Sequence, residues 1–110
     1  DEAATLVDTG YHRWLASSGD KIAYSLYCTI LGEILVDSGR ADEARALLEA
    51  GIDFSIGHDE ACYLPEMYRL LSRCVEGEER RACLCRGLQY TQQSPLFAAR
   101  IEQEFPDHPK

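Results

Sequence analysis

The sequence lacks the segments that carry a chain into or across a membrane. No basic stretch is followed by an apolar one, as at the start of a signal peptide, and no apolar run approaches the roughly 20 residues of a membrane-spanning helix. These absences predict a cytoplasmic protein that makes no contact with membranes.

The motifs of the common enzyme classes are also absent. There is no glycine-rich phosphate loop, no His-Glu-x-x-His and no Gly-x-Ser-x-Gly. The three histidines, His12, His58 and His108, are scattered, and none stands beside a cysteine or serine in a known nucleophile motif. The sequence therefore predicts a protein with no catalytic residues and no cofactor.

Cysteine is present, but without the spacing of a metal site. The chain has no Cys-x-x-Cys pair, and Cys83 and Cys85, two apart on a predicted helix, would point about 200° apart. We predict reduced thiols that pack as small apolar side chains, and no bound metal. A metal or redox site among Cys74, Cys83 and Cys85 stays an alternative, and it would have to recruit Cys74 or His58 from another helix. The five cysteines are Cys28, Cys62, Cys74, Cys83 and Cys85.

Basic residues are too few for a nucleic-acid-binding surface. Nineteen acidic residues against eleven basic ones give a net charge of -8, which repels the phosphates of nucleic acids and of anionic membranes. We therefore expect no direct binding of DNA or RNA. The hydrophobic content of 45% is enough for a packed core.

What the sequence does contain is apolar residues at helical spacings of three and four, with no sustained alternation of period two. The fold class is therefore predicted to be all-α, with about six helices. Pro65 falls inside the fourth helix, so that helix must begin late, near Leu64, or be kinked. The predicted helices span residues 3–17, 21–37, 41–56, 60–75, 78–93 and 95–105.

A pattern recurs in the first, third and fifth of these helices. Each carries a glycine at the same place, namely Gly10, Gly51 and Gly87. Because a glycine inside a helix costs about 1 kcal/mol relative to alanine, its recurrence needs a cause. We predict that a partner helix approaches closely at each of the three positions.

The residues Leu31, Gly32 and Ala44, with Leu35 and Leu48 as apolar substitutes, resemble the tetratricopeptide-type helical hairpin. The resemblance implies antiparallel helical hairpins stacked as a right-handed superhelix, a non-catalytic module that binds a protein or peptide partner. We expect residues 1–105 to form this repeat domain, as a fragment of a longer chain, and 106–110 to form a disordered tail.

The repeat is longer and less regular than the usual period of about 34 residues, since Gly32 and Ser72 are 40 apart. In this it resembles the C-terminal helical region of large bacterial ATP-dependent transcriptional regulators and of adenylate-cyclase-like proteins. The resemblance implies an upstream nucleotide-binding domain and a ligand-sensing or interaction role in regulation or signalling. A free-standing scaffold protein is the alternative. The segments that carry the resemblance are 31–35, 38–44, 66–70 and 82–88.

In proteins of this class the first helices of successive hairpins line a concave groove that binds peptides. In this chain the corresponding residues lie on the second and the fourth predicted helices, and helical spacing places each of the two sets on one stripe of its helix. The alternative is that Glu33 only pairs with Arg69 or Arg73 across neighbouring helices, in a surface pair worth at most about 1 kcal/mol. The predicted groove residues are Thr29, Glu33, Val36, Glu66, Arg69 and Arg73.

The two ends of the stack are predicted to differ. At the N-terminal end, Val7, Tyr11 and Trp14 form an apolar face that would be exposed if a preceding hairpin is missing, so we predict self-association there. The sixth helix is predicted to close the C-terminal end with a polar outer face made of Arg100, Glu102, Gln103 and Glu104.

Overall fold

The computed structural model describes residues 2–6, 8–10, 21–91 and 95–105. All regular structure in these ranges is helical, with no strand, so the all-α prediction is confirmed. None of the described helices combines the length and apolar character that a membrane span requires. Residues 2–6 and 8–10 are helical, and five further helices follow: α1 (Lys21–Asp37), α2 (Ala41–Gly57), α3 (Leu64–Ser72), α4 (Gly77–Gln89) and α5 (Pro95–Glu102).

The end of α1 is determined by Gly39, whose φ of 75° lies in the left-handed region that glycine adopts without steric penalty. The Arg40 amide then donates to the Leu35 carbonyl at 2.9 Å, and the Gly39 amide donates to the Val36 carbonyl at 3.1 Å. This pair of hydrogen bonds is a Schellman motif, which satisfies carbonyls that the helix end would otherwise leave free. The tight turn returns the chain directly into α2.

Pro65 determines where α3 begins. The helix starts at Leu64, so that the proline lies in its first turn, where a missing amide hydrogen is tolerated. The late start expected from the sequence is thus confirmed. Every residue of Leu64–Ser72 is buried, which makes α3 the central helix of the fold.

The helices pack mainly on their neighbours in the chain. The short connections at 38–40 and 73–76 form two hairpins, α1 with α2 and α3 with α4, and α3 also packs against α1, α2 and α5. α2 and α4 are linked by the ion pair between Arg45 Nη2 and Glu79 Oε2 at 3.2 Å. The result is an elongated stack of 45 × 30 × 21 Å.

Close helix approach explains two of the three recurrent glycines. A Cβ built on Gly51 would lie 2.7 Å from the Cβ of Cys28 and 2.9 Å from the Sδ of Met67. At Gly87 it would lie 3.0 Å from the Cδ1 of Ile101. The prediction is confirmed at these positions, but nothing described lies within 4 Å of the corresponding point at Gly10.

Residues 2–6 and 8–10 are held against α1. Ala4 is buried in the main core, and the Tyr27 hydroxyl donates to the Asp8 carboxylate at 2.6 Å. Burial is the main cause that raises the pKa of Tyr27 above its ordinary value, and this hydrogen bond is the second. The tyrosine therefore stays neutral and acts as the donor to Asp8.

Candidate functional site

The three groove residues predicted on α1 differ in exposure. Thr29 is buried, and its hydroxyl donates to the Ser25 carbonyl at 2.8 Å, so it is occupied within its own helix. Val36 is half-buried and Glu33 is exposed. Of the three, Glu33 offers the accessible charged group.

The residues predicted on α3 form a charged centre. Glu66 and Arg69 are each 5% exposed. The Arg69 guanidinium donates from Nε to Glu66 Oε1 at 2.8 Å, and its Nη2 contacts the same oxygen. Arg73, one turn further on, keeps 39% of its side chain exposed. Glu66 and Arg69 are therefore buried, and Arg73 is the accessible residue of the three.

Glu104, just beyond α5, completes this centre. Arg73 donates from Nη2 to Glu104 Oε1 at 2.9 Å and from Nε to Oε2 at 3.3 Å, and the Arg69 Nη1 lies 3.6 Å from Oε1. The hydrogen bonds from Arg73 hold the pKa of Glu104 below its usual range. Its carboxylate is 15% exposed, so the pairing is largely protected from solvent.

Two more arginines extend the network to α4 and α5. The Arg80 Nη2 donates to the Glu104 carbonyl at 3.1 Å and lies 3.8 Å from its carboxylate. The Arg100 Nη1 lies 3.5 Å from Glu66 Oε2. Within the described part of the chain, Glu66 Oε2 and Arg80 Nε are buried without a hydrogen-bond partner. We call this set the arginine–glutamate cluster: Glu66, Arg69, Arg73, Arg80, Arg100 and Glu104.

Sequence reasoning found three members of the cluster and missed Arg80, Arg100 and Glu104. Glu104 is 31 positions from Arg73 and 24 from Arg80, so no local spacing rule connects them. The C-terminal segment was expected to be polar on its outer face. Arg100, Glu102 and Gln103 are indeed exposed, whereas Glu104 turns inward; Arg100 also reaches Glu66.

The predicted alternative, a direct pair between Glu33 and an arginine of α3, is absent among the described ion pairs, since Arg69 and Arg73 bind glutamates elsewhere. Glu33 acts on Arg73 at longer range. The pKa of Arg73 is raised first by its hydrogen bond to Glu104 and further by the charges of Asp37 and Glu33. α1 is therefore electrostatically linked to the cluster without closing over it.

Exposed apolar side chains lie on α1 and α5, both of which pack against α3. Leu26 and Ile30 are 37% and 40% exposed, and they lie on the same stripe of α1 as Glu33. On α5, Leu96 is 67% exposed and precedes Arg100 by one turn. We define the three-helix face as the set of exposed side chains that α1, α3 and α5 contribute, namely Leu26, Ile30, Glu33, Arg73, Leu96 and Arg100.

The cysteines differ in how deeply they are buried. Burial raises the pKa of Cys28 to about 11 and also raises the pKa of Cys74 and Cys83, so these thiols resist ionisation. Cys83 is half-buried whereas Cys85 is exposed, as their helical spacing predicts. The described residues contain no group of three or more histidine, cysteine, aspartate or glutamate side chains able to hold a metal ion. A protonated, buried thiol is a weak nucleophile and a poor metal ligand.

The one described histidine is engaged by an aromatic residue. The His58 ring stacks on Phe54 at 4.0 Å between centroids, and its Nδ1 lies 2.9 Å from the Phe54 carbonyl. His12 and His108 lie outside the described residues, as do Val7, Tyr11 and Trp14. The predicted self-association through the last three therefore stays a prediction.

Comparison of the chain with protein-family models, with curated proteins and with solved structures gives no significant match in any of the three. The functional argument therefore depends on the geometry of the three-helix face and its cluster.

Proposed function

We propose that this chain is a non-catalytic protein-interaction module, a tetratricopeptide-like right-handed superhelix that binds a peptide segment of a protein partner across the three-helix face. The order of helix packing supports the superhelical part of the proposal. The first hairpin packs on the second mainly through α3, and α2 and α4 are joined at their surfaces by the ion pair of Arg45 with Glu79. Stacking of this kind, in which each unit contacts only its neighbours, is characteristic of helical repeat proteins.

The observation that carries the proposal is the juxtaposition of exposed apolar anchors and a rigid charged floor. Leu26 and Ile30 offer apolar contact beside Glu33, and Leu96 does the same on α5. The ion pairs of Glu66 with Arg69 and of Arg73 with Glu104 fix the charged side chains of α3, which packs against both α1 and α5. A surface whose side chains are already fixed loses less conformational entropy when a ligand binds.

The chemistry of the face favours an amphipathic ligand. An apolar side chain of the ligand can bury Leu26 and Ile30, while its polar groups pair with the accessible charges of Glu33, Arg73 and Arg100. Helical peptides commonly bind in this way, with apolar anchors spaced by three or four residues. Specificity then comes from the charges and affinity from the apolar contact.

The setting of the module in a bacterial transcriptional or signalling regulator is a further part of the proposal, and it rests on the sequence resemblance alone. A native protein several times heavier than 12.4 kDa, with peptides that contain a Gly-x-x-x-x-Gly-Lys-Ser/Thr loop, would support it. A native protein of 12.4 kDa would instead favour the free-standing scaffold.

The test of the binding face is a peptide-display selection against the chain, followed by affinity measurements on variants. Ile30→Arg places a charge in the apolar part of the face and is expected to weaken the selected peptides by at least about tenfold. The matched control is Ala50→Arg, which adds the same charge at an exposed position of α2. It should change affinity by no more than about twofold, because exposed charges away from a site act weakly.

Two results would contradict the proposal. One is that Ile30→Arg and Ala50→Arg weaken binding equally, which would place the site elsewhere. The other is that a diverse library yields no peptide with saturable binding, although circular dichroism shows the chain to be folded.

A further inference from the structure

A small cavity lies away from the three-helix face, where α2 ends and α3 begins. Its volume is about 90 Å³. Small-molecule pockets start at roughly 300 Å³, so this cavity can admit only the end of a single side chain. We call it the end cavity, and its lining residues are Ser55, Ile56, Asp59, Glu60, Ala61, Leu64 and Tyr90.

The charges at the end cavity are all of one sign. Asp59 and Glu60 line it, and the described lining includes no lysine or arginine. α2 ends beside the cavity at Gly57 and has no basic residue in its last turn. The negative end of that helix dipole is therefore not offset by a cation within the helix and adds to the two carboxylates.

Main-chain hydrogen bonds fix the backbone of Asp59 and Glu60. The Asp59 amide donates to the Ile56 carbonyl at 3.2 Å, and the Glu60 amide donates to the Ser55 carbonyl at 2.8 Å. The Glu60 Oε1 accepts from the Cys62 amide at 3.0 Å, which orients its side chain. The main chain therefore positions both residues and orients the Glu60 carboxylate.

The rest of the wall is aromatic and apolar. Tyr90 is 38% exposed, and its ring is held nearly parallel to that of Tyr68, at 9° and 6.1 Å between centroids. Ile56 is 50% exposed beside it, and Leu64 closes the interior at 2% exposure. An aromatic face next to carboxylates attracts a cation on an aliphatic stem, because the ring quadrupole and both charges act in the same direction.

We propose that the end cavity is a binding site for the guanidinium end of an arginine side chain presented by a protein partner. The planar guanidinium stacks on Tyr90 and donates hydrogen bonds to Asp59 and Glu60, while its methylene groups contact Ile56. Arginine suits such a site better than lysine, because its planar group combines stacking with several donors in a rigid fork. The net charge of -8 draws basic segments towards the chain as a whole.

The probe for the test is N-acetyl-arginine amide, titrated into the ¹⁵N-labelled chain and followed by NMR. Saturable shifts are expected at Ala61 and Tyr90. N-acetyl-citrulline amide has nearly the same shape without the charge, and we expect it to bind at least about tenfold more weakly. The lysine analogue should also bind more weakly than arginine.

Variants assign the effect to the cavity. The double substitution Asp59→Asn, Glu60→Gln removes both charges, yet Asn tolerates the φ of 55° at position 59 and Gln keeps an acceptor for the Cys62 amide. We expect affinity for the arginine probe to fall at least about tenfold. Asp53→Asn removes one charge from an exposed position of α2 and should change affinity by no more than about twofold.

Equal binding of the arginine and citrulline probes would overturn the proposal, as would tighter binding of the lysine analogue or unchanged affinity in the double variant. The end cavity shares no residue with the three-helix face. Shifts confined to the three-helix face would also count against it. If the arginine-binding proposal fails, the peptide-binding proposal is therefore unaffected. For the same reason Ile30→Arg should not change the affinity of the arginine probe.

Discussion

The hydroxyl groups of Ser25 and Ser55 lie 2.7 Å apart in a region that solvent does not reach, and their hydrogen bond joins α1 to α2. Both side chains are 0% exposed, so neither has water as an alternative partner. A buried polar group must find its hydrogen bond within the protein, because an unsatisfied one costs about 1–3 kcal/mol. The pair therefore fixes the register of the first hairpin.

Removal of one serine hydroxyl should lower the free energy of unfolding by more than the net contribution of one hydrogen bond. We expect Ser55→Ala to lower the free energy of unfolding by about 1–3 kcal/mol, because Ser25 then loses its cross-helix partner. The double variant Ser25→Ala, Ser55→Ala should be less destabilised than the sum of the two single variants. Urea denaturation measures the stability of all three variants, with Ser38→Ala at an exposed position as the control. If the two single-variant losses add up to the loss in the double variant, the two hydroxyls are not coupled.

Alanine substitutions at two glycines of α2 should have opposite effects. Gly51→Ala would bring a methyl group within 3 Å of Cys28 and Met67, so we expect a loss of about 1–3 kcal/mol from overpacking. Gly57→Ala meets nothing within 4 Å and should stabilise the helix by up to about 1 kcal/mol. Thermal or urea unfolding compares them, and a stabilised Gly51→Ala would contradict the close packing of α1, α2 and α3.

Glu104 should make stability depend on pH on the acid side. Its pKa is lower in the folded chain than its ordinary value of 4.5, because Arg73 donates to the carboxylate. The folded state thus binds the proton less tightly than the unfolded state does, and the stabilisation is present above pH 4.5 and is lost as pH falls through the lower, folded pKa. Glu104→Gln should be less stable than wild type at pH 7, by about 1–3 kcal/mol, and the difference should shrink in acid.

The control for this experiment is Glu102→Gln, which neutralises the exposed carboxylate at the end of α5, two residues before Glu104. Its stability should follow that of wild type from pH 7 into acid. If Glu104→Gln keeps a constant difference from wild type over the whole range, the charge of Glu104 has no part in the cluster.

The thiols should react in the order of their exposure. Cys62 and Cys85 are exposed and should be alkylated first, whereas Cys74 and Cys83 should react more slowly. Cys28 should react only when the chain unfolds, because it is 0% exposed and burial raises its pKa to about 11. Timed alkylation at pH 8 with peptide mass spectrometry measures the order, and rapid labelling of Cys28 in the folded chain would disprove its burial.

The helices could be predicted from the sequence because their signals are local. Periodic apolar residues determine which stretches form helices. Gly39 supplies the left-handed φ that ends α1, and Pro65 is tolerated only in the first turn of a helix. Close packing at Gly51 and Gly87 could also be predicted, because a glycine inside a helix is unfavourable unless space demands it. Each of these inferences depends on residues within a few positions of one another.

The candidate site could be predicted only in part. Helical spacing placed Glu33 on one stripe of α1 and Arg69 and Arg73 on one stripe of α3, and in the structure α1 packs against α3. Helical spacing alone could not predict that the Arg69 side chain is buried while the Arg73 side chain stays accessible. Exposure depends on which neighbouring helix covers a side chain, and that information is not local.

Glu102 and Glu104 show where the division lies. The sequence determines that both follow or end a short helix after Pro95 and that both are acidic, since propensity and charge are properties of the residues themselves. Only the tertiary structure distinguishes them, leaving Glu102 in solvent and directing Glu104 towards Arg73 and Arg80. The reason is physical: an ion pair across 24 or 31 positions forms only when helix packing brings both partners together, and packing is decided by the whole core.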